Sequence, residues 1–366
     1  MSDRRCEVAW FSALCDDDYE FLGIPDPRLR SSWSHCRDIV LRAQRNGFDN
    51  VLLPSGYELG IDATAFAAGI APELATTGMH ALLAVRCGEL WPPQLARQLA
   101  TIDQMLGGRL TVNIISSDLP GAPMASGPRY RRTSEVIEIV RTLLDGRSLH
   151  VGGEHYSIDV KAPSAQPVAG RCPPFYFGGL SEDARECAAT GADVYLLWPD
   201  TMETVAATIG DMRARAARHG RTIRFGYRVH VVVRESESQA RAAAERLLSR
   251  LDADVGEAIR QRSLDASSEG VRRQVQLSDA ASANDGYAEA NLWTGIARAR
   301  SGCGAAIVGD PVQVLSKLRG YQELGIEAFI LSGYPHAEEC DLFARHVLPQ
   351  LRHGPLFPTE APDATA

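Results

Sequence analysis

The chain has 366 residues, with 38 Lys and Arg against 46 Asp and Glu and a formal net charge of -8. That length can bury a large core in one unit, and the acidic balance leaves no broad basic surface for a phosphate backbone, which sets nucleic acid aside. The N-terminal stretch leads into no apolar signal segment and no run is long enough to span a bilayer, so a soluble, cytoplasmic protein is expected. Cys6, Cys15, Cys36, Cys87, Cys172, Cys187, Cys303 and Cys340 are scattered, with no Cys-x-x-Cys pair and no paired His at zinc-site spacing. They read as cytosolic thiols.

Short apolar runs alternate with longer amphipathic ones along the whole chain. The pattern predicts strands near Val8–Phe11, Val51–Pro54, Met79–Val85, Leu110–Ile115, Phe175–Phe177, Val194–Trp198, Phe225–Val233 and Ala328–Leu331. Helices are predicted near Ser34–Arg45, Pro92–Leu106, Ser134–Leu144, Ser181–Thr190, Thr201–His219, Ser238–Leu251, Pro311–Leu324 and Ala337–Leu348. Asp310 before Pro311 is an N-cap followed by proline at the first helical position, and Gly325 closes the same helix. Eight strands interleaved with helices close most naturally into an α/β (β/α)8 TIM barrel, with an open doubly wound sheet as the runner-up. The expected single domain covers residues 1–353.

Three regions fall outside the repeat. Residues 149–174, with Gly152-Gly153 between alternating runs, predict an inserted hairpin. Residues 253–304, polar and rich in Ser and Asp, are long enough to form a lid over the barrel mouth. The tail, 354–366, is expected to be disordered.

In such a barrel the site lies at the C-terminal ends of the strands, so the polar residues there are the candidates. Arg228 and His230 lie in an otherwise apolar strand, and their i, i+2 spacing points both to one face. Two cationic or ionisable groups on an inward face call for an anion, a bound acid or a developing negative charge. The competing reading is an edge strand with both residues solvated. Asn113 falls near the end of the fourth strand, Trp198 at the end of the sixth, and Tyr334 after the eighth. Arg129 and Tyr130 fall in the loop after the fourth strand. Gly178-Gly179-Leu180-Ser181 opens a helix and could offer N–H groups and a hydroxyl to a phosphate, or serve only as a turn and cap. The chain has no G-x-G-x-x-G, no P-loop and no G-x-S-x-G elbow, so a redox enzyme built on it would need its cofactor reduced elsewhere.

Trp10-Phe11, Phe175-Tyr176-Phe177-Gly178-Gly179-Leu180-Ser181, Tyr195-Leu196-Leu197-Trp198, the run from Ile223 to Glu235, Asn291-Leu292-Trp293 and Leu331-Ser332-Gly333-Tyr334-Pro335-His336 together resemble the reduced-flavin-dependent alkanesulfonate monooxygenases. These belong to the bacterial luciferase-like flavin superfamily. The resemblance implies reduced FMN, supplied by a separate NAD(P)H-dependent flavin reductase, with O2 as co-substrate. It further implies C–S cleavage of a sulfonate to an aldehyde and sulfite, a mobile lid, and a homodimer or homotetramer. Arg228 and Arg300 would take the sulfonate, His230 and Tyr334 would donate to substrate or flavin oxygens, and Trp198 would exclude water. Ser181, its turn (Gly179, Leu180) and Tyr130 would hold the FMN phosphate, with Asn113 facing the ring system. No metal is implied.

The chain departs from that family around the pocket mouth. Tyr57-Glu58-Leu59-Gly60-Ile61-Asp62 lacks the family's cysteine, the loop 116–132 is short, Ser126 stands in place of a histidine, and Cys87 in place of a proline. These changes imply a retained reaction type with a different substrate. Alongside an alkanesulfonate, a dialkyl sulfone or the carbon or nitrogen of a biosynthetic intermediate stays open, as does a non-catalytic flavin-binding scaffold.

Overall fold

The computed structural model of the chain describes residues 4–57, 60–261, 268–300 and 302–359. The first half runs β1 (Glu7–Phe11), α1 (Trp33–Arg45), β2 (Asn50–Leu53), α2 (Ala63–Leu74), β3 (His80–Arg86), α3 (Pro92–Met105), β4 (Leu110–Ile115) and α4 (Ser126–Leu144). A hairpin of β5 (Leu149–Gly152) and β6 (Ser157–Val160) follows, then β7 (Phe175–Phe177), α5 (Glu182–Gly191), β8 (Val194–Leu197), α6 (Met202–Arg218) and β9 (Arg224–Val233). The remainder is α7 (Glu237–Leu248), α8 (Ala253–Gln261), α9 (Glu269–Ala281), β10 (Tyr287–Glu289), β11 (Leu292–Trp293), β12 (Ala306–Gly309), α10 (Pro311–Leu324), β13 (Ala328–Ser332) and α11 (His336–His346).

Strands β1, β2, β3, β4, β7, β8, β9 and β13 pair in parallel in that order, and β13 pairs with β1, so the sheet closes into the (β/α)8 barrel. The pleat sorts β9 cleanly. Val229, Val231 and Val233 pack outward under the helices, while Gly226, Arg228 and His230 face the interior with Phe11, Leu52, Leu82, Leu196 and Ile330. Arg228 and His230 are therefore neither at an edge nor solvated, being 3% and 0% exposed. Past the barrel, β9 continues far enough to take β12 in parallel, with β11 and β10 antiparallel beyond it.

Several elements differ from the sequence expectation. Helix α2 was not predicted, because its Ala-rich run has a weak amphipathic period and contains Pro72. Burial of Phe66, Ile70 and Leu74 outweighs that proline, at roughly 1.5–3 kcal/mol for each large side chain. Helix α4 begins at Ser126, so Arg129 and Tyr130 are helical residues rather than loop residues. The stretch expected to form a polar lid contains α8, α9, β10 and β11, with residues 262–267 and Ser301 outside the described residues. Of the tail expected to be disordered, residues 354–359 are placed against the N-terminal face of the barrel. There Leu356 donates its N–H to Glu7 at 2.9 Å, and Phe357 meets Tyr176 edge-on. Residues 360–366 lie outside the described residues. No helix among the described residues is long and apolar enough to cross a membrane.

Candidate active site

At the C-terminal ends of the strands a cavity of about 300 Å³ opens, within the usual range for small-molecule sites. Five of the residues singled out in the sequence line it together: Asn113, Trp198, Arg228, Arg300 and Tyr334. Phe11 forms its floor, with the Arg228 guanidinium 4.4 Å and the Arg300 guanidinium 5.4 Å from the ring centre. Both arginines thus lie over the Phe11 ring, a favourable placement for cations.

The two guanidiniums differ in what balances them. Arg300 pairs with Asp17 at 2.6 Å and donates to the Tyr334 hydroxyl oxygen. Burial works against its charge, but Tyr334 and Asp17 more than offset this and hold its pKa above the ordinary arginine value. Arg228 donates only to the Val229 and Ile330 carbonyls, at 3.1 and 3.4 Å, and has no carboxylate partner among the described residues. Its Nη2 is buried with no hydrogen-bond partner among the described residues, and burial, together with Arg300, lowers its pKa. A buried cation left in this state is costly, and a bound anion would relieve the cost.

His230 does not line the cavity. It lies behind Tyr334, stacked at 5.0 Å between ring centres, with Nδ1 2.6 Å from the Ser332 hydroxyl and Nε2 without a geometric hydrogen bond among the described residues. Burial first and Arg228 second push its pKa well below the ordinary histidine value, so it is neutral. Tyr334 is held protonated by burial, although Arg300 pulls the other way. Because Arg300 occupies the phenol oxygen as a donor, the Tyr334 O–H remains free to donate toward the cavity. Beside it, His336 donates its backbone N–H to Asp18 at 2.9 Å, and Asp18 also holds His35 at 2.9 Å.

Trp198 separates this cavity from a second one, lined among others by Leu180, Arg185, Asp200 and Arg273. It packs against α9: a Cβ added at Gly270 would fall 2.8 Å from its ring. Tyr130, Gly179 and Ser181 cluster off to this side. The Tyr130 hydroxyl lies 3.4 Å from the Cβ position of Gly179, near enough to Ser181 for the serine to counter the effect of burial on its pKa, while Arg129 lies 5.4 Å from the Tyr130 ring with its Nε unpartnered among the described residues. Ser181 also caps α5, accepting from the Ala184 N–H at 3.3 Å, so the turn and cap reading of this motif holds structurally. A hydroxyl that accepts from a cap can still donate. Two hydroxyls, an unsatisfied guanidinium N–H and a helix N-terminus fit a phosphate end.

Sequence reasoning passed over Asp17, Arg86 and Cys15. All three line the cavity. The run Cys15-Asp16-Asp17-Asp18 just past β1 was the available signal, since charges at the C-terminal end of a barrel strand point to the mouth. Cys15 brings a thiol to the wall near Ser55 and Tyr57, where the second loop has no cysteine of its own; Glu58 and Leu59 of that loop lie outside the described residues.

A fold of this kind with its polar groups gathered at the strand ends is shared by many enzymes, and sequence narrows the choice. The profile of the luciferase-like monooxygenase family matches residues 22–328, and the chain belongs to that family. It is 64% identical over 363 residues to a sulfoquinovose monooxygenase of Novosphingobium aromaticivorans, covering 97% of this chain and 99% of that protein. A sulfoquinovose monooxygenase of Agrobacterium fabrum is 50% identical over 348 residues, 94% of this chain and 90% of its own. Among solved structures, a long-chain alkane monooxygenase superposes with a TM-score of 0.76 at 17% identity, covering 99% of this chain and 94% of its own. An EDTA monooxygenase from a Chelativorans species gives 0.75 at 16% identity over 95% and 94%. At such identities these two attest the barrel fold alone. The chain is a luciferase-like monooxygenase whose similar curated relatives act on an organosulfur compound.

Proposed function

We propose that the protein is a two-component, reduced-FMN-dependent monooxygenase that desulfonates sulfoquinovose, a hexose with a sulfonate on C6, rather than a simple alkanesulfonate. The observation that carries this reading is Arg228: a guanidinium 3% exposed, on the cavity wall, with an Nη2 unpartnered and no carboxylate beside it among the described residues. The relatives named above support the sugar as substrate. Oxidation of the C6–S bond would consume one O2 and one reduced FMN and yield a C6 aldehyde, sulfite, oxidised FMN and water. Reduced FMN supplies, when bound, the activated oxygen for that cleavage.

The protein's own groups would do the rest. Arg228 binds the sulfonate through charge-assisted hydrogen bonds, in a cavity where low dielectric strengthens them. Arg300, tethered by Asp17, sets the Tyr334 phenol so that its O–H can donate to oxygen that gains charge as the C–S bond breaks. Neutral His230, gripped by Ser332, stacks behind Tyr334 and fixes its ring. Trp198 keeps water from the reacting carbon. Tyr130, Ser181 and Arg129 would hold the FMN phosphate, and Asn113 on the cavity wall would face the flavin ring. Because the chain carries no dinucleotide motif, a separate NAD(P)H-dependent flavin reductase would supply the reduced cofactor.

The test is sulfite release by the purified protein with a flavin reductase, NADH, FMN and air, comparing sulfoquinovose, octane-1-sulfonate and dimethyl sulfone. Sulfite from sulfoquinovose is expected. Oxidation of the sulfone, with none of either sulfonate, would overturn the reading.

A further inference from the structure

Beyond Arg228, two groups on the cavity wall carry hydrogen-bonding capacity that no described residue uses. Asp17 gives Oδ2 to Arg300 at 2.6 Å, while its Oδ1 is buried with no hydrogen-bond partner among the described residues. Arg86, at the end of β3, is 5% exposed and donates Nη2 to the Ser55 carbonyl at 3.3 Å. Its Nε lies 3.2 Å from a Glu89 oxygen but is misaligned, and neither Nε nor Nη1 makes a hydrogen bond among the described residues. Asp17, Arg300, Arg86 and Cys15 line the same cavity. Buried groups left in this state cost stability unless a ligand completes them.

The charges divide the cavity. Arg228 has no carboxylate partner among the described residues, so the anion belongs to it. Arg86 is offset by Glu89 and Asp17 by Arg300, so both pairs are close to neutral. A carboxylate oxygen repels a sulfonate and needs an O–H or N–H donor instead, whereas a guanidinium N–H needs an acceptor. A sugar hydroxyl is both, and a hydrocarbon chain is neither.

We propose that Asp17 and Arg86 form a hydroxyl-recognising subsite that makes the cavity selective for a polyhydroxylated sulfonate over an alkanesulfonate of similar length. The inference rests on the sulfonate reading above and adds to it the residues that read the carbon skeleton. A site built to bond a hydroxyl discriminates strongly against the analogue lacking it, because its polar groups are then left unpaired.

The test is anaerobic calorimetric titration of sulfoquinovose and hexane-1-sulfonate into the full-length protein, with and without reduced FMN, followed by sulfite release. Wild type should prefer the sugar by at least about 100-fold. Asp17→Ala should erase most of that preference, and Arg86→Gln should lower it about tenfold. Tyr334→Phe, which removes the other partner of Arg300, should weaken both ligands equally and leave the ratio intact. Loss of Arg300 positioning alone would likewise move both ligands together, so the ratio isolates hydroxyl recognition. An unchanged ratio in Asp17→Ala, or a wild type that favours hexane-1-sulfonate, overturns the subsite while leaving the sulfonate reading standing. Failure to bind or turn over any sulfonate overturns both. Should Asp17→Ala fail to fold, the wild-type preference and Arg86→Gln decide.

Discussion

Replacement of Arg228 by methionine tests the charge logic of the site most directly. The wild-type guanidinium is 3% exposed, lies 4.4 Å over Phe11, bonds two carbonyls and pairs with no carboxylate among the described residues. Methionine keeps much of the volume and removes the charge. In the ligand-free protein an isolated buried cation is a liability, and apolar replacement of buried ions is often neutral or stabilising by about 1–4 kcal/mol, so the melting temperature should hold or rise. With a sulfonate bound the sign reverses. Truncating one partner of a buried charge pair costs about 2–5 kcal/mol, roughly 30- to 4,000-fold in affinity. A sulfonate carries its charge in the ground state and the transition state alike, so the loss should fall mainly on KM, with kcat less affected. Arg228→Lys should recover only part, since an ammonium cannot make the two-pronged contact. The assay pairs thermal unfolding, with and without sulfoquinovose, with sulfite release kinetics. Undiminished ligand stabilisation together with full turnover in Arg228→Met would refute the reasoning, and a steep loss of stability without ligand would show that the guanidinium serves the fold through its carbonyls.

Further outcomes follow from other parts of the molecule. Ser181→Ala should weaken FMN by about 0.5–1.5 kcal/mol and, because the hydroxyl caps α5, lower folding stability by about 1 kcal/mol; unchanged FMN affinity in a fluorescence titration would leave Ser181 a cap alone. Burial holds His230 and His336 below the ordinary histidine pKa and moves His80 to about 4. Below about pH 6.5 the unfolded chain therefore takes up protons that the folded one refuses, so the stability these groups contribute is complete above that pH and is lost as pH falls through the folded values. Denaturant unfolding between pH 4 and 7 should show His230→Asn with a shallower slope than wild type, by up to about 1.4 kcal/mol per pH unit. Gly270→Ala favours the helix intrinsically by about 1 kcal/mol, yet its Cβ would sit 2.8 Å from the Trp198 ring. Net destabilisation, with hydrogen peroxide leaking during turnover, is expected; a more stable, fully coupled variant would show that Trp198 yields at no cost.

The barrel was legible in the sequence because each of its strands is a short apolar run bounded by turn residues, and a closed parallel sheet asks for little else. Arg228 and His230 were legible for a related reason, since alternation along a strand fixes which residues share a face whatever the rest of the chain does. The alkanesulfonate placed first by the family motifs was not secured in the same way. Those motifs speak to the flavin chemistry and a sulfonate end, while the proposed hydroxyl subsite of Asp17 and Arg86 lies outside them. Whether Asp17 keeps an unsatisfied oxygen, whether Arg228 lacks the carboxylate that Arg300 has, and whether His230 reaches the cavity or only backs Tyr334 are relations between residues far apart in the chain. Helix α2 formed against its proline for the same reason, through burial of Phe66, Ile70 and Leu74 against neighbours that local propensity does not see. Sequence by itself determined the periodicities, the caps and the faces; the tertiary structure decided which charges are compensated, because compensation depends on which side chains the closed barrel brings within hydrogen-bonding distance.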